Sequence, residues 1–143
     1  MKKGLRMKGT KTMDAVRAFV RAINSRDPEQ IALRMSEDHL FTDSLGRKVR
    51  GREKMRRAWA GYFLLFPDYR IVVAQALEKR NVVALFGTAE GTYAPDGTLQ
   101  RANHWELPGA WSAVVGDGLV AEWQVYADNT PVLQIMKAGT SVV

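Results

Sequence analysis

The sequence predicts an α+β fold, in which a curved antiparallel sheet wraps around N-terminal helices. Three observations predict it. Apolar residues recur at helical spacing up to Pro67, the texture then changes to period two with β-branched residues, and the later connections are too short to hold crossover helices. The 143 residues are enough for one domain, taken as residues 10–143 behind a basic lead-in of residues 1–9.

In chain order, Thr12 is a candidate cap for a helix whose Val16, Phe19, Val20 and Ile23 fall on one face, and Asp14 suits its positive end. That helix ends near Asn24 and Ser25. Asp27, Pro28, Glu29 and Gln30 then supply a cap, a proline at the first helical position and a capping-box partner for a short helix through Met35. Residues 39–43 alternate as a strand closed by the turn Ser44, Leu45, Gly46. From Arg52 to Phe66 the positions Met55, Trp59, Tyr62, Phe63 and Phe66 form an aromatic stripe on a long helix that Pro67 ends.

Five strands follow, over residues 69–77, 82–93, 98–107, 110–115 and 119–127. They are separated by turns at residues 79–81, 95–97, 108–109 and 116–118. Gly87 and Gly91 share one face of the second, where a missing side chain lets a sheet bend or a helix approach.

Composition removes whole classes of chemistry. With no cysteine there are no disulfides, thiolate metal sites or cysteine nucleophiles, which fits a reducing cytosol and a cytoplasmic protein. Two histidines cannot alone build a metal site. The longest apolar stretch, residues 58–66, is far short of the roughly 20 residues that span a bilayer. The charged start has no apolar stretch behind it and does not read as a signal peptide.

Lys and Arg number 21 against 15 Asp and Glu, and the whole excess of +6 sits between Arg47 and Arg57. No aromatic is interleaved with that strip, which points away from nucleic acid and towards a solvated helix start, or towards arginines that steer an anion.

No nucleophile elbow, phosphate loop or dinucleotide fingerprint is present, so no cofactor is expected. The candidates are polar residues set in apolar strands. Along the last strand Glu122, Gln124, Tyr126 and Asp128 point one way and Ala121, Trp123, Val125 and Ala127 the other, and either row could be the inner one. At the end of the row Asp128 has two readings. It is a desolvated general acid or base at a cavity mouth, or a cap on a helical turn over residues 129–136. His39 and Asp43 share a strand face roughly 13 Å apart, too far for a dyad. Trp59, Tyr62, Phe63 and Phe66 would wall a cavity with His104 and Tyr126, while Glu90, Glu106 and Glu122 would be solvated.

Residues 41–46 with Gly51, then Phe66 to Tyr69, then residues 116–118 leading into Glu122 to Asn129, stand in an order that resembles a known superfamily. The sequence is similar to the nuclear-transport-factor-2-like α+β cones, within them to SnoaL-like polyketide cyclases and ketosteroid-isomerase-like proteins, over about residues 12–136. The resemblance implies an enzyme without metal or cofactor, with Asp128 matching the aspartate that serves those cyclases as general acid/base. In such an enzyme Asp43, His39 or Tyr126 would polarise the oxygen of a small hydrophobic carbonyl compound.

Two departures stand out. Where cyclases of this type carry a polar, often histidine-bearing strand, residues 110–115 offer only Ser112. Arg101 is followed by Asn103 where limonene epoxide hydrolases have aspartate. The alternative is a non-catalytic ligand-binding or assembly module on the same cone. Either is expected to be a homodimer, because Trp111 or Trp123 on the outer face of the sheet would need cover.

Overall fold

A computed structural model describes residues 9–140; the expected lead-in lies, apart from Gly9, outside the described residues. Helix α1 runs over Lys11–Ser25 and buries Val16, Phe19 and Ile23, as the spacing requires. Its cap is Thr10 rather than Thr12, because the Thr10 hydroxyl accepts the Met13 N–H at 2.9 Å. Helix α2 (Pro28–Ala32) has the expected Asp27 cap but stops three residues before Met35. Met35 instead opens strand β1 (Met35–Thr42), where the sheet claims it by pairing with Val120.

Strand β2 (Lys48–Arg50) was not expected. It forms a hairpin with β1, through Leu40↔Arg50, Phe41↔Val49 and Thr42↔Lys48. Helix α3 (Arg52–Leu65) is the aromatic helix, followed by β3 (Arg70–Lys79) and β4 (Val82–Thr92). A 3₁₀ turn (Arg101–Asn103) leads into β5 (His104–Gly116), then come β6 (Leu119–Tyr126) and helix α4 (Thr130–Thr140).

Residues 104–107 of the strand expected over 98–107 and the strand expected over 110–115 are therefore one, with no turn at Pro108 and Gly109, while residues 98–103 lie outside the sheet. Pro108 lies past the last β5–β6 pair, Ala110↔Tyr126, so on that side its missing N–H breaks no ladder. The Trp111 ring fills the space over Gly109, 3.1 Å from where a Cβ would stand.

The six strands form one curved, unclosed sheet in the order β2-β1-β6-β5-β4-β3. The class is α+β and the later strands run as the expected meander, but β1 and β6 pair parallel. Curvature has a visible source. β3 carries a bulge between Val73 and Gln75, opposite Gly87, whose added Cβ would lie 1.9 Å from the Val72 carbonyl oxygen.

Helix α1 packs into the concave face, where Phe19 meets Trp123 with centroids 4.9 Å apart and Trp123 stacks beside Trp111. Both tryptophans are therefore buried, which corrects their expected place on the outer face. No helix among the described residues is long and apolar enough to cross a membrane.

Candidate functional site

A cavity of about 460 Å³ opens at one end of the cone, between α3 and the inner faces of β4, β5 and β6. Alternation explains its wall: Ala89 comes from β4, Trp105, Leu107 and Trp111 from β5, and Trp123 and Val125 from β6. Helix α3 adds Met55, Trp59 and Tyr62 from one face. All four tryptophans of the chain line the space. Gly91 makes this possible, because a Cβ there would press within 3.0 Å of the Trp105 ring.

The polar groups collect at the mouth, where the β1–β2 turn faces the β6–α4 turn. The Asn129 side-chain amide donates to the Ser44 hydroxyl at 2.9 Å and joins the two. Asp128 accepts from the Thr130 hydroxyl at 2.6 Å and from its N–H at 3.0 Å. Those bonds hold its carboxyl below the ordinary aspartate value, since burial opposes them only weakly. For Asp43, burial pushes the carboxyl up, yet the Arg47 N–H and guanidinium and the Leu45 N–H together outweigh it and the net shift is downward. Both rim carboxylates are thus ionised at neutral pH. Of the two readings of Asp128, desolvated group or helix cap, the structure matches the cap: the side chain is exposed and accepts from Thr130 at the start of α4.

A family model for the SnoaL-like domain matches residues 16–123. The chain belongs to the SnoaL-like family. No curated protein matches it significantly. Among solved structures, a candidate SnoaL-like polyketide cyclase from Shewanella putrefaciens superposes with a TM-score of 0.77 at 12% identity, covering 92% of this chain and 88% of that one. An epoxide hydrolase from Mycobacterium tuberculosis, of the limonene-epoxide-hydrolase-like kind, does so at 0.72 and 15%, covering 91% and 92%. A protein of Catenulispora acidiphila with a ketosteroid-isomerase-like fold, complexed with trimethylamine, does so at 0.73 and 17%, covering 85% and 90%. At these identities the likeness is one of fold.

On this SnoaL-like frame Asp43, Asp128, Trp59 and Tyr62 come together around the cavity, and the other expected site residues do not line it. His39 is buried on β1, with Nδ1 2.7 Å from the Val120 carbonyl and its ring against Phe19. Phe63 stacks on Trp59 at 5.4 Å, and Phe66 meets Trp105 edge to face at 5.7 Å, so both back the wall. Tyr126 lies on the outer face beside Ser112. His104 lies on the outer row with Glu90, where its Nδ1 is 2.9 Å from the Thr92 hydroxyl, which itself donates to Asp68. Glu90 is half-buried and paired with Arg70 at 2.9 Å, not solvated as expected.

The basic strip is largely engaged. Arg47, Arg56 and Arg57 pair with carboxylates, and Arg50 and Arg52 donate to the carbonyls of Asp38 and Met35. Arg101 and Asn103 also lie outside the cavity lining. Among the described residues no group of three or more histidine or acidic side chains could hold a metal ion.

Sequence reasoning missed Tyr69, Trp105 and Trp111 as lining residues. Strand alternation could have grouped Trp105 with Leu107 and Trp111, and the large apolar row was the signal for the inner face.

Proposed function

We propose that the cavity takes a small, largely apolar, carbonyl-bearing molecule and that Asp128 is the general base that withdraws a proton α to the carbonyl. The observation that carries this reading is the division of the site: an aromatic chamber large enough for a bicyclic ligand, with its two lining carboxylates, Asp43 and Asp128, at the mouth. Asp128 is ionised, so it enters the cycle as a base and not as an acid. Its low proton affinity is a handicap that the ligand itself reduces, because an apolar body seated in the mouth displaces water from the carboxylate and raises its pKa.

The Cα–H bond breaks towards the Asp128 carboxylate, and its electron pair passes to the carbonyl oxygen as an enolate. Return of the proton to another carbon is isomerisation, attack of the enolate on a second carbonyl is cyclisation, and expulsion of a β-substituent is elimination. The members of the fold named cyclase and hydrolase support an enzyme-type scaffold without choosing among these. Asp43, tied to Arg47, shapes the rim beside it.

The second reading, a non-catalytic ligand carrier, is favoured by the two Thr130 bonds that already occupy Asp128. Asp128→Asn separates them cleanly, because asparagine still caps α4 but accepts no proton. With 2-tetralone as probe, binding read by tryptophan quenching should persist in the variant while protein-dependent deuterium exchange at the α-carbon is lost. Equal exchange in both proteins removes Asp128 from the chemistry, and no exchange in either favours the carrier.

A further inference from the structure

A second opening lies apart from the cone cavity, between α1 and the edge strand β3. It holds about 380 Å³ and shares no lining residue with the cavity. Two ties hold α1 to β3 on either side of it. At one end the Asn24 side chain donates to the Ile71 carbonyl at 2.9 Å and accepts the Ile71 N–H at 2.8 Å, and at the other the Thr10 hydroxyl donates to the Glu78 carboxylate at 2.8 Å. Between the ties the bulge at Val73 to Gln75 interrupts the strand, and this stretch of β3 lines a slot instead of closing on the helix.

Burial grades the slot from floor to rim. Val16 and Leu85 are no more than 2% exposed and form its floor, with buried Met13 and half-buried Val20 and Ala76 as apolar walls. Arg17 and Arg21 also line it and are exposed, which puts them at the rim. They are neighbours one helical turn apart, with Cβ atoms about 6 Å from each other. Neither has an ion pair or a hydrogen bond among the described residues. Asp14, one turn before Arg17, does not pair with it, and the Glu78 carboxylate is held by Thr10. Like charges so placed on a helix repel, and an anion between them turns that cost into attraction.

We propose that this slot binds a single-chain anionic amphiphile, a medium-chain carboxylate whose alkyl chain lies on Val16 and Leu85 and whose head sits between Arg17 and Arg21. The site is independent of the reaction proposed for the cone cavity. Its rim has the opposite character: the cavity mouth carries two carboxylates and one guanidinium, the slot two guanidinium groups and no lining carboxylate. Guanidinium forks match a carboxylate in geometry as well as charge, so the head fixes orientation while the buried chain supplies affinity. A peptide strand added to the β3 edge fits less well, because the bulge breaks the regular spacing of free backbone groups and Asn24 already occupies those of Ile71.

The test uses octanoate below its micelle concentration, with 1-octanol and octylammonium as neutral and cationic counterparts of the same chain. Methyl-labelled methionine supplies the reporters, because Met13 lines the slot and Met55 lines the cone cavity. Octanoate should shift the Met13 methyl resonance saturably and leave Met55 in place, and should bind more tightly than either counterpart. Arg17→Gln and Arg21→Gln, both at exposed positions, should each weaken octanoate roughly two- to fivefold without changing the affinity for 1-octanol, and added salt should weaken octanoate alone. Val73→Glu, which sets a carboxylate in the slot from a partly exposed position, should abolish octanoate binding.

A shift of Met55 in place of Met13 puts the acid in the cone cavity and overturns the proposal. So does equal affinity for acid and alcohol, or an octanoate affinity that neither arginine substitution lowers. A Met13 signal that changes with protein concentration in the absence of any ligand identifies a second copy of the chain as the occupant and overturns it as well.

Discussion

The imidazole of His39 has one partner and one bare nitrogen. A carbonyl can only accept, so the 2.7 Å contact with Val120 fixes the proton on Nδ1 and leaves Nε2 as a buried lone pair without a donor. Burial drives its pKa below the ordinary 6.5, against the pull of the Val120 carbonyl and of the Asp38 and Glu122 charges. The unfolded chain therefore binds this proton more readily than the folded one. Stability is full above the ordinary histidine pKa and falls as pH drops through it towards the lower folded value. We expect the thermal midpoint to fall between about pH 7 and about pH 5 in the wild-type protein, and to stay nearly flat in His39→Asn, whose amide can replace the Nδ1–H donor without titrating. The same fall in both proteins would remove His39 as its cause. Asp43 and Asp128, both shifted below the ordinary 3.8, lose their contributions only at still lower pH, so the two windows separate. At this scale the sequence showed which residues could titrate but not their surroundings. Position four apart on a strand could not reveal that His39 ends against Phe19, or that Asp43 leaves the strand and curls around its own turn.

Elements were legible where their signals are local. The cap at Asp27, the stop at Pro67 and the helical stripes of α1 and α3 each act within a few residues, and the structure follows them closely. What failed is non-local. A three-residue β2 exists only because β1 lies beside it, the parallel β1–β6 pair joins segments some 80 residues apart, and Pro108 breaks a strand only if a neighbour needs its N–H. The glycine pair on β4 was read as a bend or the approach of a helix; Gly87 lies opposite the β3 bulge, while Gly91 makes room for the Trp105 ring of β5 and not for a helix. Gly87→Ala would drive a Cβ into the Val72 carbonyl, a backbone atom that cannot swing away, and should cost about 3 kcal/mol. Gly109→Ala meets a movable Trp111 ring and should cost less. Gly116→Ala, with nothing within 4 Å, is the near-neutral control. Urea midpoints at constant slope would rank the three, and a Gly87→Ala midpoint equal to the control would show that the bulge does not depend on that glycine.

The whole molecule is a sheet with two unlike faces. The concave face was legible as a cavity because a stripe of aromatics on α3 had to bury against something, although the depth of the chamber depends on Tyr69, Trp105 and Trp111, whose inward orientation only the register of the folded sheet decides. The convex face retains apolar surface: Phe86, Ala110 and Tyr126 stand in one cross-strand row, with Phe86 42% and Tyr126 49% exposed. The expected homodimer thus loses Trp111 and Trp123 as its reason but gains this row. A small residue between two large rings is self-complementary about a two-fold axis, since each copy's rings can seat over the other's Ala110. We expect a solution mass near twice 16.0 kDa by light scattering. Phe86→Glu should shift it towards one chain while leaving ligand quenching unchanged, because Phe86 lies on the opposite side of the sheet from the cavity. A single-chain mass for the wild-type protein at every concentration would show that the convex face is solvated, and that the cone completes its cavity without a second copy.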